Sequence, residues 1–306
     1  MSFPTEAEIA AAGASIRAGH LVAFPTETVY GLGANALDVR AVARVFAAKG
    51  RPASSPLIVH VDSVEMARSL AREWPPEADR LAELFWPGPL TLVVKKKRKV
   101  PDLLTAGLPT VALRFPVHPV ALALIRAAGV PIAAPSANRF TQLSPTTAEH
   151  VMRSGVADMV LDGGPAAVGI ESTVLSLAEG QPVLLRPGSI TVPQLESVVG
   201  PVTVRLEGGA GAHASPGQHL QHYRPVTPLH LGAPLKTGRG AYLWLQTPQR
   251  AARTIAMPQN AAEYGAVLYS MLHQMDAEHL DWIAVEMPPD KPEWSGVRDR
   301  LCRAGK

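Results

Sequence analysis

Short apolar runs alternate with helix-like patterns over the first two-thirds of the chain. Apolar residues spaced as on one face of a helix follow Asp38, which suits an N-cap position. Runs rich in β-branched residues predict strands. We expect strands at residues 21–24, 57–61, 90–95, 111–115 and 132–134, and further helices at 119–128 and 191–199. The alternation predicts an α/β domain around one twisted, mixed sheet.

The composition changes after Leu206. Glycines, prolines and a serine crowd residues 208–228, as in a linker. A smaller α/β unit is predicted beyond it, with strands at 241–245 and 282–286, a helix at 261–275 and a terminal helix holding Val297 and Leu301. The predicted division is residues 1–205, a linker at 206–231 and a C-terminal unit at 232–306. We expect that last unit to carry none of the chemistry-bearing loops.

The composition fits a globular protein with a substantial core. Hydrophobic residues make up 47% and charged residues 18% of the 306 residues. The formal net charge of +3 is too small to demand an anionic partner. The single cysteine, Cys302, excludes an internal disulfide and any CxxC site, so we expect a cytoplasmic protein. No signal peptide is apparent, and the most apolar stretch, 120–134, is too interrupted to span a membrane.

The common nucleotide-binding and hydrolase motifs are missing from the sequence. It contains no GxxxxGKS or GxxxxGKT loop, no GxGxxG after a strand, no HExxH and no GxSxG. The densest stretch is PTETVYGLG at residues 25–33, directly after a predicted strand. Hydroxyls and glycines placed there can form a small-ligand pocket, and a surface turn is an equally good interpretation.

Several cations have both a structural and a functional interpretation. Lys49 and Arg51 end a predicted helix near Ser55, where cations most often complement the helix dipole but can also clamp polyphosphate. Arg114 lies in a strand apolar enough to be buried, so it needs an anion, either an internal carboxylate or a substrate carboxylate. His60, in another buried strand, is more often a satisfied core histidine than a ligand.

Polar residues flank the remaining predicted strands as well. Ser136 and Asn138 follow one strand, Ser144 opens an SPT segment, and Ser172 and Arg186 flank two short apolar runs. Each signal is weak alone. Their recurrence predicts one concave site lined by hydroxyls and arginines.

Two basic features favour structural interpretations. The five cations at residues 95–99 are typical of a solvated hairpin end, although they could add to a field that attracts RNA or ATP. His213, His219, His222 and His230 cluster in the linker region without nearby thiolates or an orienting helix. A zinc site there is possible but not favoured, and we assign no metal ligands.

Together these segments resemble the YrdC-like family, specifically the long form of threonylcarbamoyl-AMP synthase. Nine motifs occur in the family's order: PTETVYGLGANA from Pro25, KGRP from Lys49, PLIVHV from Pro56, WPGPLT from Trp86, VALRFP from Val111, PSAN from Pro135, SPT from Ser144, ESTV from Glu171 and LRPG from Leu185. The linker resembles the family's SPGMxxxHYxP segment, with departures at Gln218 and Arg224. Residues 139–143 also depart from the family's smaller, glycine-containing stretch.

The resemblance implies a YrdC-like twisted mixed-sheet domain followed by a small Rossmann-like domain. It implies synthesis of L-threonylcarbamoyladenylate from L-threonine, bicarbonate and ATP, for tRNA modification next to the anticodon by a downstream transferase complex. Mg²⁺ would arrive with ATP. The implied L-threonine site is Thr28, His60, Arg114, the backbone of Ala134, and Ser172. The implied ATP contacts are Arg51, Ser55, Thr110, Ser136, Asn138, Ser144, Arg186 and, from a linker folded over the site, Tyr223. Lys49 and Arg51 are the candidates for stabilising phosphate charge, and no general base is assigned.

Two other functions are open on the sequence. The first is a non-catalytic module that binds structured RNA, which the cations at 95–99 favour and the buried-strand arginine does not. Weak RNA contact is also compatible with the enzyme. The second is a carbamoyl-adenylate-forming enzyme of the hydrogenase-maturation kind, whose cysteine-rich zinc motifs this chain lacks.

Overall fold

The computed structural model describes residues 3–206 and 223–305, which form two sheets with flanking helices. The helices of these residues are α1 (Glu6–Arg17), α2 (Val39–Lys49), α3 (Val64–Leu70), α4 (Pro76–Phe85), α5 (Pro119–Ala128), α6 (Ala148–Ser154), α7 (Val192–Val199), α8 (Ala261–Ala277) and α9 (Ser295–Ala304), with a 3₁₀ turn at Pro292–Trp294. The first sheet contains β1 (Val22–Phe24), β2 (Gly31–Asn35), β3 (Ile58–His60), β4 (Leu90–Lys95), β5 (Thr110–Arg114), β6 (Ile132–Ala133), β7 (Met159–Val160), β8 (Thr173–Ser176), β9 (Val183–Arg186) and β10 (Thr203–Val204). The second contains β11 (Leu229–Leu231), β12 (Gly240–Trp244), β13 (Arg253–Ala256) and β14 (Trp282–Val285).

The first sheet is mixed, as the sequence predicts. Its strand order is β10-β9-β8-β4-β5-β3-β6-β2-β1-β7. The five predicted strands and three predicted helices of this region are confirmed, with boundaries shifted by at most a residue or two. Asp38 caps α2 through a hydrogen bond from the Arg40 amide, at 2.8 Å. Thr191 is likewise the N-cap residue of α7.

The sequence pattern does not predict β2, whose five residues include two glycines. The reason for glycine at position 33 is close packing: a Cβ there would lie 2.9 Å from the Phe24 ring and 3.0 Å from the Val22 carbonyl oxygen. β2 pairs antiparallel with both β1 and β6, so the chain reverses immediately after the PTET segment. That reversal places residues 25–30 against one face of the sheet.

The second sheet is parallel throughout, in the order β11-β14-β12-β13. The elements predicted for the C-terminal unit are confirmed. β11 lies inside the stretch that the sequence assigns to a linker, residues 206–231, and pairs with β14. The SPG motif, Gln218, His213, His219 and His222 lie outside the described residues. His230 lies on β11 and is exposed.

The two domains share buried contacts. One apolar cluster joins Val29 and Ile170 of the first domain to Leu268 and Tyr269 on α8 and Val297 on α9. The backbone of α9 lies so close to the first domain that position 296 requires glycine. A Cβ there would lie 2.7 Å from the Gly188 carbonyl oxygen. The C-terminal domain is therefore packed directly on the segments that carry the ESTV and LRPG motifs. Among the helices of the described residues, none has the length and apolarity needed to cross a membrane.

Candidate active site

A pocket lies against one face of the first sheet and is enclosed on its far side by residues next to the C-terminal domain. β1 and β6 run opposite to β3 and β5. The residues that follow β1 and β6 therefore line the pocket together with His60 and Arg114, the last residues of β3 and β5. The described residues that line the pocket are Thr26, Thr28, Val29, Gly31, Arg51, Ile58, His60, Arg114, Ala134, Pro135, Ser136, Glu171, Arg186 and Tyr223. Eight of these lining residues belong to the predicted site.

The PTET segment forms a folded turn inside the pocket, so the surface-turn interpretation is wrong. Thr26 and Thr28 are both buried. The Thr26 hydroxyl donates to the Val29 carbonyl at 2.6 Å and lies 2.9 Å from the Thr28 hydroxyl. The Glu27 side chain leaves this turn in the opposite direction, towards β5.

Glu27 is the anion that the buried Arg114 needs. Its Oε1 accepts a hydrogen bond from Arg114 Nη2 at 2.6 Å, and both side chains are more than nine-tenths buried. Glu27 Oε2 accepts from the Val117 amide at 3.2 Å. Of the two alternatives that the sequence leaves open, the structure therefore contains the internal carboxylate. The pair still lines the pocket through Arg114.

His60 is buried beside Arg114, but it is not the fully satisfied core histidine that the sequence favours. Its ring meets the Phe24 ring edge to face, with centroids 6.0 Å apart. Its Nδ1 has no hydrogen-bond partner among the described residues. Burial and the Arg114 charge hold the pKa of His60 well below its ordinary value, so the ring is neutral. A neutral imidazole at a pocket wall can accept or donate one hydrogen bond.

Lys49 and Arg51 do not act as solvated complements to the α2 dipole, because both are buried. Gly50, in the left-handed conformation with φ 62°, ends the helix and turns Arg51 towards the pocket. The Lys49 ammonium donates to the Ser136 carbonyl at 2.6 Å and to the Asn138 carbonyl. It therefore holds the PSAN loop, and burial together with the Arg51 charge lowers its pKa well below the ordinary value.

Arg51 is clamped by the segment that follows it. Its guanidinium donates to the Ser55 hydroxyl at 2.5 Å and to the Pro56 carbonyl at 3.0 Å. Burial and the nearby Arg186 lower the pKa of Arg51 to about 10, which leaves it charged near neutral pH. The Phe140 ring lies 5.8 Å from the guanidinium carbon, so the atypical segment at 139–143 packs on this cation.

Arg186 and Ser172 form the opposite wall. Arg186 donates from Nε to the Ser172 carbonyl and from Nη2 to the Ser172 hydroxyl, both at 3.0 Å. The Ser172 hydroxyl also lies 2.8 Å from that of Thr91 on β4. Ser172 is thus fixed between two strands behind the pocket surface.

Glu171 joins the two domains at this wall. Its carboxylate accepts from Ser144 Oγ at 2.5 Å, from Arg300 Nε at 2.7 Å and from the Tyr269 hydroxyl at 3.1 Å. Burial alone would raise the pKa of Glu171, but the charges of Arg300 and Arg186 and the Ser144 hydrogen bond hold it below its ordinary value. The carboxylate is therefore ionised and acts only as an acceptor.

Tyr223 is the first described residue after residue 206, and it is buried in the pocket. Its ring lies 5.8 Å from the Tyr269 ring and 5.2 Å from the Arg300 guanidinium carbon. The next residue, Arg224, donates its amide to the Thr141 carbonyl at 2.9 Å. Arg224 and residues 139–143 both differ from the family's usual sequence, and this hydrogen bond joins them through their backbones.

Thr110 is the predicted residue that lies outside this cluster. Thr110 begins β5 and lies on the same face of the strand as Arg114. The four-residue separation along the strand places the two residues about 13 Å apart. It lines a second pocket with Arg72, Ser176 and Leu185. An apolar strip that includes Ile58, Ala112 and Val174 lies between the two pockets.

Sequence reasoning did not predict four residues that line the pocket or contact its lining residues: Glu27, Glu171, Tyr269 and Arg300. Glu27 and Glu171 stand inside recognised motifs, so the motifs themselves were the available signal. Tyr269 and Arg300 come from helices of the C-terminal domain, which was expected to carry none of the chemistry-bearing loops. Both side chains bond to a carboxylate of the pocket wall, so this domain contributes to the wall from its helices.

The basic run at residues 95–99 is divided between two ion-paired lysines and three exposed cations, Lys97, Arg98 and Lys99. Lys95 pairs with Glu73 at 2.7 Å, and the largely buried Lys96 pairs with Asp102 at 2.6 Å. Lys99 donates to the Ser69 hydroxyl at 3.3 Å. The exposure of the other three cations fits the solvated hairpin end that the sequence favours.

Comparisons with known proteins identify the family of the chain. Residues 14–188 match the Sua5_yciO_yrdC family, described as "Telomere recombination", and residues 190–305 match "Threonylcarbamoyl-AMP synthase, C-terminal domain". The threonylcarbamoyl-AMP synthase of Bacillus subtilis is 42% identical over 97% of this chain and 92% of its own length. That of Pyrococcus abyssi is 50% identical over 72% of this chain and 66% of its own length.

A solved structure matches over nearly the whole molecule. The crystal structure of P. abyssi Sua5 complexed with L-threonine superposes with a TM-score of 0.93 at 39% identity, covering 99% of this chain and 96% of that one. The chain therefore belongs to the long-form, Sua5-type threonylcarbamoyl-AMP synthase family, and its function is to make threonylcarbamoyl-AMP for threonylcarbamoyladenosine modification of tRNA.

Proposed function

We propose that the pocket binds L-threonine against Arg114 and ATP along the cations on its other walls. The observation that carries this proposal is the meeting, in one enclosed pocket, of Arg114 with the buried cations Arg51 and Arg186. Buried guanidinium groups suit a carboxylate on one side and phosphates on the other. The P. abyssi relative, whose crystal structure contains L-threonine, supports the choice of amino acid.

In this proposal, L-threonine is held by Thr28, His60, Arg114, Ser172 and the backbone of Ala134. Arg114 keeps Glu27 as its internal partner and receives the substrate carboxylate with the rest of its fork. Neutral His60 and the Thr28 hydroxyl are the groups available to the threonine hydroxyl, because both reach the pocket surface. Ser172 lies behind the surface and acts partly by orienting Arg186.

ATP is proposed to contact Arg51, Ser55, Ser136, Arg186 and Tyr223. Four further predicted residues, Lys49, Asn138, Ser144 and Thr110, lie behind these contacts or at the ends of the nucleotide. Because Arg51 donates to the Ser55 hydroxyl, the hydrogen of that serine is left to donate to a phosphate oxygen. Lys49 is occupied by two carbonyls and positions the Ser136 loop. A direct phosphate contact by Lys49 remains a prediction.

The hydrogen bonds of Ser144 and Asn138 restrict which atoms of ATP they can meet. Ser144 donates to the ionised Glu171, so it can only accept, for example from a ribose hydroxyl or an amino group. Asn138 uses its amide nitrogen on two carbonyls, which leaves Oδ1 for a ligand. Thr110 would be reached only by an extended ligand that crosses the apolar strip, and a nucleotide is long enough to do so.

The reaction follows from this placement. The threonine amine and bicarbonate give an N-carboxylate and water. A carboxylate oxygen then forms a bond to the α-phosphorus of ATP, the bond to the bridging oxygen breaks, and pyrophosphate leaves. Arg51 and Arg186 stabilise the charge that grows on the phosphoryl oxygens, and the pocket walls align the reactants.

Mg²⁺ is proposed to arrive with ATP. Among the described residues, no group of three or more histidine, cysteine or acidic side chains could hold a metal ion. The carboxylate nearest the site, Glu171, is already bonded to Ser144, Tyr269 and Arg300. We keep the proposed division into a catalytic domain (1–205), a linker (206–231, of which β11 joins the second sheet) and a C-terminal domain (232–306).

The product is proposed to pass to a threonylcarbamoyl transferase complex that modifies tRNA, in the cytoplasm. The exposed free thiol of Cys302 is compatible with a reducing compartment. The test of the proposed function is pyrophosphate release from ATP and bicarbonate, with L-threonine compared with serine and alanine. We expect release that requires bicarbonate and strongly prefers threonine, and release indifferent to the amino acid would contradict the proposed site.

A further inference from the structure

Arg300 is a fully buried side chain at the boundary of the two domains, and it bonds to residues of both. It lies on α9 of the C-terminal domain, and its side chain has no solvent exposure. Besides the Glu171 carboxylate, it donates from Nη2 to the Glu171 carbonyl at 3.1 Å and from Nη1 to the Pro187 carbonyl at 3.0 Å. One guanidinium from the C-terminal domain thus holds two separate backbone segments of the catalytic domain.

Those two segments carry the proposed ligand-binding residues of this wall. Ser172 follows Glu171 directly, and Arg186 precedes Pro187 directly. Ser144 is bonded to the Glu171 carboxylate itself, at 2.5 Å. Displacement of the Arg300 guanidinium would therefore loosen the three side chains together.

Arg300 also sets the charge of the wall. Without it, the ionised carboxylate of Glu171 would stand in the pocket lining with less compensation, where a triphosphate is proposed to lie. Two like charges brought together in a site of low polarity repel strongly. Asp299, on the same helix, pairs with both Arg300 at 2.8 Å and Arg303 at 3.0 Å, which fixes the direction of the Arg300 side chain.

We propose that Arg300 is a positioning residue for the adenylation step, acting through Glu171 to hold Ser144 and Ser172, and through the Pro187 carbonyl to hold Arg186, in their binding geometry. The C-terminal domain thereby completes the active site. This inference rests on the proposed ATP-binding roles of Ser144 and Arg186. Arg300 itself lies behind Glu171 and Tyr223, so it need not touch substrate.

The first test is Arg300→Lys in the full-length protein. Lysine keeps the positive charge opposite Glu171 but loses the planar fork that reaches three acceptors at once. We expect a variant that still folds cooperatively, with a lower unfolding temperature than the wild type. Its kcat/KM for ATP in pyrophosphate release, measured at a temperature where it is fully folded, should fall by about tenfold or more. Arg298→Lys is the matched control on the same helix, because Arg298 pairs with the exposed Asp290 and not with Glu171, and it should retain wild-type kinetics. A folded Arg300→Lys variant with wild-type kcat/KM for ATP would overturn the proposal.

A double-mutant cycle then asks whether Arg300 acts through Glu171. It compares the loss of kcat/KM for ATP caused by Arg300→Met in the wild type with the loss in a Glu171→Gln background. If Arg300 acts through the Glu171 carboxylate, the loss is much smaller in the Glu171→Gln background than in the wild type. The reason is that Glu171→Gln has removed the charge that Arg300 compensates. Equal losses in the two backgrounds would contradict the proposal. Should Arg300→Met fail to fold alone, the same cycle is run with Arg300→Lys.

These results are separable from a failure of the proposed ATP site. If Arg51→Ala keeps full activity while Arg300→Lys loses it, the proposed phosphate contacts are wrong and the role of Arg300 stands. The reverse pattern leaves the phosphate contacts in place and removes the role of Arg300.

Discussion

At the scale of single residues, the proposed site contains cations that the fold has already removed from solvent. Arg51 and Arg186 are both buried, and burial lowers the pKa of each, yet each is held by neighbouring oxygens before any substrate arrives. A guanidinium fixed in this way needs little reorganisation when charge develops on a phosphate. The pairing of Arg51 with Ser55 and Phe140 gives it one defined orientation.

We predict that Arg51→Ala abolishes adenylate formation while the protein remains folded. The fixed positive charge next to the proposed α-phosphate is lost, and removal of one such group commonly costs a hundredfold or more in rate, about 3 kcal/mol. The measurement is threonine-dependent pyrophosphate release, with circular dichroism to check folding. Arg40→Ala, at an exposed position on α2, is the control. Turnover close to that of the wild type would refute the role of Arg51.

We predict that Arg114→Lys weakens L-threonine binding by about tenfold or more with little effect on ATP binding. Lysine can remain paired with Glu27, so the buried carboxylate keeps a counter-charge, but it cannot offer a second parallel hydrogen bond to the substrate carboxylate. Titration calorimetry with L-threonine and with a non-hydrolysable ATP analogue measures both affinities. Unchanged threonine affinity would mean that the substrate carboxylate binds elsewhere.

At the scale of elements, two helices of the C-terminal domain dock on the catalytic domain with very little space between them. α8 brings Tyr269 to the Glu171 carboxylate, and α9 brings Arg300. The contact of α9 depends on Gly296, since a Cβ there would also lie 2.9 Å from the Ile170 Cδ1 atom. The position of α9, and with it the reach of Arg300, is thus set by one small residue.

We predict that Gly296→Ala moves α9 away from the Gly188 carbonyl and lowers activity. The backbone at position 296 is helical, so alanine is sterically compatible with the helix and the strain arises only at the domain contact. Overpacking of this kind costs about 1–3 kcal/mol. The midpoint temperature of thermal unfolding and kcat/KM for ATP should both be lower than in the wild type. Cys302→Ala, at an exposed position of the same helix, should change neither. Wild-type kinetics for Gly296→Ala would show that the docking of α9 does not control the site.

At the scale of the whole molecule, the domain interface contains a pair of stacked histidines. His150 on α6 and His273 on α8 have ring centroids 3.8 Å apart. His273 Nε2 lies 3.2 Å from the Ser144 carbonyl oxygen, and Arg153 and Asp276 are the nearby charged groups. Burial, the partner ring and Arg153 lower the pKa of His150 to about 3, and burial is the main cause of the lowered pKa of His273.

We predict that this pair makes the folded protein less stable as the pH falls below about 6.5, the ordinary pKa of histidine. Between that pH and about pH 3, the unfolded chain binds a proton at His150 that the folded chain does not. Stability is therefore fully present above about pH 6.5 and decreases on acidification. His150→Phe keeps an aromatic ring at the stack without titrating.

The measurement is the urea midpoint between pH 8 and pH 5 for the wild type, for His150→Phe and for a control at the exposed His230. The slope with pH should be shallower in His150→Phe than in the wild type and unchanged in the control. Identical slopes in all three proteins would contradict the prediction.

Local sequence determined the elements that are specified by neighbours along the chain. α2 begins after its Asp38 cap and ends at Gly50 in the left-handed conformation, and α5 begins at Pro119 and ends before Gly129, because caps and breakers act within a turn of the helix. The recurrence of hydroxyls and arginines after strands was enough to predict a single site, and the ordered motifs were enough to indicate its family.

Only the tertiary structure decided which charges meet. Glu27 and Arg114 are 87 residues apart, and Glu171 and Arg300 are 129 residues apart, in different domains. β2 was likewise hidden, because its glycines are required by packing against Phe24 and leave no alternating pattern. A buried cation is stable only beside an anion or other acceptor. Which acceptor lies beside it depends on which chain segments the sheets and helices bring together. The sequence therefore determined most of the residues proposed for the site, whereas the tertiary contacts, including those between the domains, determined which carboxylates and cations hold them.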